Sequence, residues 1–149
     1  MSTVQASAVV DATPERVWTV VANPRNLPGW DRHITRVEGV PNGGLKTGST
    51  YTTEVRLMGV RAHAEARVEE LRAAEYSKIR LKGVIEAVIE TWLDPMPGGR
   101  TRLRHRIEYH FPGGSIGELA GRAVGALGAN AILRRGVQAQ KRQAERDAA

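Results

Sequence analysis

Between Thr101 and Phe111 the residues Leu103, His105, Ile107, Tyr109 and Phe111 alternate with Arg102, Arg104, Arg106, Glu108 and His110. Such alternation marks a strand with one covered and one wet face. It places an imidazole and a phenol on the covered side, between aliphatic neighbours. An imidazole with an ordinary pKa of about 6.5 can give or take a proton near neutral pH. A tyrosine two positions further along the same face, four residues on in sequence, can hydrogen-bond to it or to a ligand oxygen. His105 and Tyr109 are therefore the candidate catalytic residues. The structural alternative is a histidine satisfied by Thr, Tyr or water in a polar part of the core.

The same periodicity in other segments supplies the rest of the inward face. Thr50 to Met58 presents Tyr51, Thr53, Val55 and Leu57 on one side, and Ala62 to Leu71 presents Ala62, Ala64, Ala66 and Val68. Glu75 to Lys82 presents Ile79 and Leu81, and Ile85 to Leu93 presents Ile85, Ala87, Ile89, Thr91 and Leu93. The inward polar groups are then Tyr51, Thr53, Thr91, His105 and Tyr109, with Ser77 a further candidate. His63 and His110 fall on outward faces. His33, close to Trp30 at the start of a strand, is read as a surface residue, and Trp30, Leu27 and Met58 either pack together or line a pocket entrance.

Other chemistries are poorly supplied. The chain of 149 residues has no cysteine, which removes thiolate ligands, cysteine nucleophiles and redox switching. Its four histidines lack ligand spacing with acids on one element, so no metal is expected. The pairs Gly43-Gly44, Gly98-Gly99 and Gly113-Gly114 are turns without phosphate-loop spacing, and there is no Gly-x-Ser-x-Gly elbow, so no cofactor is expected. The formal net charge is +6, yet most basic residues are interleaved with acids. The main imbalances are Arg100, Arg102, Arg104 and Arg106, and then Arg134, Arg135, Lys141, Arg142 and Arg146. Without a nucleic-acid motif these read as solvated faces and a basic helix end, or as a surface for an anionic ligand or partner; nucleic acid is not expected.

The length suits one domain over residues 1–149. No stretch approaches about 18 apolar residues and no basic-then-apolar leader opens the chain, so the expectation is a cytoplasmic protein with no transmembrane segment. The elements that hold the inward groups start with a strand over Val4–Val10. Thr13 then caps a helix with Pro14 in its first position, Glu15 against its positive end and Val17, Trp18 and Val21 on its apolar face. Pro24 ends that helix at Asn23. A Pro-punctuated helical turn up to Trp30 precedes a strand through Ile34 and Val37.

Turns at Lys82-Gly83-Val84 and Asp94–Gly99 make hairpins. The expected register puts Leu81 opposite Ile85, Thr91 opposite Leu103 and Ile89 opposite His105. On the outer face Arg80 then meets Glu86, Glu90 meets Arg104 and Trp92 meets Arg102.

Ser115 to Glu145 reads as one long helix with Ile116, Leu119, Ala120, Ala123, Leu127, Ala131 and Val137 as its buried stripe. Gly117, Gly121 and Gly125 share one face. Alanines on the sheet opposite glycine and alanine on the helix leave either a cavity or a very close approach, since interiors pack to a density of about 0.74. The residues alone leave both open, and the resemblance given below favours the cavity. Its ligand-binding residues would be Trp30, Tyr51, Thr53, Val55, Ala64, Ala66, Ala87, Ile89, Thr91, Ile107, Leu119, Ala123 and Leu127.

The stretches Thr13-Pro14-Glu15-Arg16-Val17-Trp18 and Leu27-Pro28-Gly29-Trp30, the strand Gly99 to Phe111 and Pro112-Gly113-Gly114 carry a resemblance. The chain resembles the START/Bet v 1-like (SRPBCC) helix-grip superfamily over essentially its whole length, in the polyketide cyclase/dehydrase-like branch. Bacterial members of that superfamily include polyketide cyclases, polyketide dehydrases and small lipid-binding proteins. The resemblance implies an α+β helix-grip fold: a curved seven-stranded antiparallel sheet around a long C-terminal helix, with two short helices between strands 1 and 2. It further implies an apolar ligand between sheet and helix.

Three functions are compatible with such a fold. The first is a carrier that binds a hydrophobic or polyketide-like small molecule. The second is a cofactor-free polyketide cyclase/aromatase-type enzyme using His105 and tyrosines as acid/base groups; the lack of an inward arginine counts against it. The third is a toxin-like or regulatory interaction module, for which the Gly117-Gly121-Gly125 face would serve as a docking or dimer surface. The chain is expected to be a monomer or homodimer.

Overall fold

The computed structural model describes residues 2–57 and 59–148, without the side chains of residues 116, 123, 126, 127 and 148. The alternating segments become β1 (Ser2–Val10), β2 (Ile34–Glu38), β3 (Thr50–Leu57), β4 (Val60–Arg72), β5 (Tyr76–Gly83), β6 (Glu86–Met96) and β7 (Arg100–His110). They form one seven-stranded antiparallel sheet in the order β1-β7-β6-β5-β4-β3-β2. β1 closes one edge by pairing with the last strand, and β2 closes the other.

Between β1 and β2 lie α1 (Pro14–Val21), a single 3₁₀ turn (Pro24–Asn26) and α2 (Leu27–Trp30). The Thr13 hydroxyl accepts the Arg16 N–H at 3.4 Å, satisfying one otherwise orphaned donor of α1. Val17 and Val20 turn inward to join Val10, Leu93, Leu103, Val137 and Ala144 in the main apolar core.

The C-terminal segment differs from the single helix expected. It forms α3 (Ser115–Leu127) and α4 (Ala129–Ala148), separated at Gly128, whose φ is +79°. A left-handed residue ends a helix, and glycine adopts that geometry without a Cβ penalty. The Gly128 N–H closes α3 on the Val124 carbonyl at 2.7 Å. The 20-residue α4 is the long helix that the curved sheet grips. Lys141 Nζ donates to the Val9 carbonyl at 2.9 Å and to Glu145 at 2.6 Å, while Glu145 accepts the Asp11 N–H at 2.9 Å. On α3, a Cβ at Gly117 would overlap the Pro112 carbonyl, which makes it a close-packing position, whereas a Cβ at Gly121 would meet the Phe111 ring at an ordinary 3.5 Å.

Two hairpin registers also need correction. β6 and β7 pair Thr91 with His105 and Leu93 with Leu103, and β5 and β6 pair Leu81 with Ala87. Both lie two residues from the expected register. Asp94-Pro95-Met96 continues β6, which leaves only Pro97-Gly98-Gly99 as the turn. At the other hairpin, Gly83 stays paired with β4, and the Val84 N–H bonds back to the His63 carbonyl at 3.1 Å. A shift of two preserves the face of every side chain. The partners on both faces change, and on the outer face Trp92 stacks under Arg104, 5.0 Å from guanidinium carbon to ring centre, and Glu90 meets Arg106.

Candidate functional site

A cavity of about 320 Å³ separates the concave face of the sheet from α2, α3 and α4. Its walls follow from the cross-strand register. Tyr51, Ala66, Leu81, Ala87 and Tyr109 stand side by side across β3 to β7. Thr53 and Ala64 form the next row on the β3 side, and Ile89 pairs with Ile107 on the other. Alanine at Ala64 and Ala87 keeps the wall thin, and the two tyrosines stand at its two ends.

Of the expected ligand-binding residues, Trp30, Tyr51, Thr53, Val55, Ala64, Ala87, Ile89 and Ile107 line this cavity, together with His105 and Tyr109. Ala66, Thr91 and Leu119 are not on its wall. Ala66 is fully covered between its larger row neighbours Tyr51 and Leu81, and the Thr91 hydroxyl is turned to His105. Leu119 lies on α3, whose described contribution to the wall is Val124. The side chains of Ala123 and Leu127, and the whole of Met58, lie outside the described residues. Leu27 does line the cavity beside Trp30.

The further wall residues include a run from α4: Ile132, Leu133, Gly136, Val137 and Gln140. Their spacing is that of one helical face. Counting from Ala129 instead of Ser115 exposes it. Asp31 and His33 also line the mouth. Asp31 Oδ1 lies 2.8 Å from His33 Nδ1 and accepts the His33 backbone N–H at 2.9 Å. Two polar residues spaced by two beside a tryptophan are the available signal. Above them, Trp30 Nε1 donates to Gln143 Oε1 at 3.0 Å and ties α2 to α4.

At the floor His105 is fully committed. Its Nε2 meets Gln140 Oε1 at 2.7 Å, and its Nδ1 meets Thr91 Oγ1 at 2.8 Å. A carbonyl oxygen can only accept, so Nε2 carries the proton and Nδ1 takes the Thr91 hydroxyl hydrogen. The expected His105–Tyr109 pair is replaced by these two partners; Tyr109 instead meets Phe111 edge-on, ring centres 5.8 Å apart. Burial pushes the His105 pKa below the ordinary imidazole value, partly countered by the Gln140 hydrogen bond. Burial also raises Tyr51 to about 12, so it stays a neutral O–H.

This histidine makes stability depend on pH. Its folded pKa is depressed, so below about 6.5 the unfolded chain takes the proton more readily than the folded one. Stability is complete above that value and declines as pH falls toward the folded pKa. Thermal melting between pH 5 and 8 should show this slope in the native protein and a flatter profile in His105→Gln. Equal slopes would assign the titration to another group. Glu145, held below the usual carboxylate range by Lys141 and the Asp11 N–H, loses its contribution only at lower pH, in the carboxylate range.

With this geometry in hand, the sequence matches over residues 1–145 the family model described as polyketide cyclase/dehydrase and lipid transport. Among curated proteins, none matches. Similar solved structures include a Thermus thermophilus protein, 15% identical with a TM-score of 0.77, the match covering 99% of this chain and 100% of that one. The Zhui aromatase/cyclase from a Streptomyces species is 16% identical, with a TM-score of 0.74 and coverage of 97% and 94%. A START superfamily protein from Mycobacterium smegmatis is 16% identical, with a TM-score of 0.66 and coverage of 97% of each chain. Likeness at these identities concerns the fold alone. No helix among the described residues is long and apolar enough to cross a membrane.

Proposed function

The chain belongs to the polyketide cyclase/dehydrase and lipid transport family, and we propose that its own role is to bind a hydrophobic, polyketide- or lipid-like small molecule between the sheet and α4. The observation that carries this reading is an apolar-walled cavity of about 320 Å³ whose floor histidine is spent on Thr91 and Gln140. Small-molecule sites are concave and largely apolar, with a volume of roughly 300–1,000 Å³. A general base needs a lone pair within reach of its substrate. His105 has one ring nitrogen protonated and the other accepting from Thr91, so it serves as a positioning residue that joins β7 to α4.

A second reading, proton transfer of the cyclase/aromatase type, draws on the mouth instead. There the Asp31 carboxylate orients His33 through Nδ1, which leaves Nε2 for a ligand.

Binding is tested with protein extracted free of lipid and titrated with N-phenyl-1-naphthylamine, an uncharged fluorescent probe of apolar sites. Saturable one-to-one binding in the micromolar range is expected. Linear, unsaturable fluorescence would sink the carrier reading. Release of protons or a new chromophore from poly-β-keto thioesters, lost in His33→Ala and kept in His105→Gln, would favour the second reading.

A further inference from the structure

We propose that the cavity selects uncharged apolar molecules carrying a carbonyl or hydroxyl oxygen and rejects the corresponding carboxylates, an inference that rests on the binding function above. The charge of the whole protein points the other way. Its net charge is +6, and a positive surface steers anions toward it. That charge does not reach the inside.

The ionisable groups on the wall are Asp31, His33, Tyr51, His105 and Tyr109, with no lysine or arginine among the described lining residues. Alternation sends the basic side chains of β7 outward, where Arg104 meets Asp94 at 3.0 Å and Arg106 meets Glu90 and Glu108. On α4, Lys141 is held by the Val9 carbonyl and Glu145 rather than by the cavity. At the mouth, the His33 ring nitrogen Nδ1 faces the Asp31 carboxylate at 2.8 Å. A carboxylate entering this space would lose its water and meet no lysine or arginine among the described wall residues, and near the rim it would meet the Asp31 carboxylate.

What the wall does offer is a donor. The Tyr51 side chain is buried and lines the cavity, and no described residue hydrogen-bonds its hydroxyl. The hydroxyl is not sealed off among protein atoms but opens to the cavity, where a ligand oxygen would bond it. The hydroxyl stays protonated, so it suits a neutral carbonyl, ester or alcohol oxygen. It supplies one hydrogen bond, too little to hold an ion desolvated by apolar walls.

The test displaces N-phenyl-1-naphthylamine from the native protein at pH 8 with dodecanol, methyl dodecanoate and dodecanoate, each below its aggregation concentration. Dodecanol and the ester should displace the probe at concentrations at least about 100-fold lower than the acid, as expected when one charge is buried unpaired. Displacement by dodecanoate at equal or lower concentration overturns the proposal while leaving the binding function standing. Failure of the probe to bind at all removes the binding function itself. In Tyr51→Phe the preference for dodecanol over a plain alkane of similar length should shrink about tenfold, and an unchanged preference assigns the ligand oxygen to another group.

Discussion

Ala87→Phe should weaken binding of the uncharged probe about 100-fold while the protein still folds. Ala87 sits in the middle of the cross-sheet row, between Leu81 and Tyr109, with 3% of its surface exposed and its methyl toward the cavity. A phenyl ring there takes the space of several ligand methylenes. Each buried methylene is worth roughly 0.8 kcal/mol, so losing three or four costs about 3 kcal/mol of affinity, or about two orders of magnitude. Overpacking a filled core typically costs about 1–3 kcal/mol. Here the ring enters empty space and stability should change by less. Val88→Phe on the opposite face of β6 is the control and should bind as the native protein does. Native-like affinity in Ala87→Phe would place the ligand somewhere other than between sheet and helix.

The face of every strand can be read from alternation because a β-strand has a period of two, and errors in register come in steps of two. Thr91 and His105 both fall inward on that basis. That they stand directly opposite each other is hidden by Pro95, which looks like turn chemistry but continues β6. Pairing partners depend on where a turn begins, and that is a choice among nearly equal local options. The helix stripe holds in part, since Ala120 and Val137 are buried as expected, and what it misses is the break within it. Gly128 is one of several glycines in a segment of good helical pattern, and nothing local distinguishes the one whose φ turns positive. Gln140, the partner of His105, lies one turn beyond Val137 on the same face, but as a polar residue it is passed over by an apolar pattern. The Asp31–His33 pair arises from a backbone bend after α2 that two residue types alone do not announce.

The strongest expected effect on folding lies at the rim. Gly83→Ala should cost about 3 kcal/mol, combining roughly 1–2 kcal/mol for a side chain at positive φ with roughly 1–3 kcal/mol for a contact that cannot relax. Gly83 has φ +143°, and a Cβ there would press on the His63 carbonyl oxygen and lie 2.9 Å from Ala64 Cα. Both are backbone atoms inside the β4–β5 ladder, so no side-chain rotation relieves them. For a chain of this size the melting temperature should fall by roughly 10 °C. Gly44→Ala separates the two contributions, since Gly44 has φ +88° with nothing within 4 Å of its Cβ position. It should lose only the backbone part, roughly 1–2 kcal/mol. Equal losses in the two variants would mean that the Gly83 contact relaxes freely. The contact also matters for the site. The close approach at Gly83 lets Val84 donate to His63 and brings Val84 and Ile85 over the cavity. Pushing the strands apart there should loosen that cover, so Gly83→Ala should raise the probe's dissociation constant even below its melting point, where Gly44→Ala leaves it unchanged.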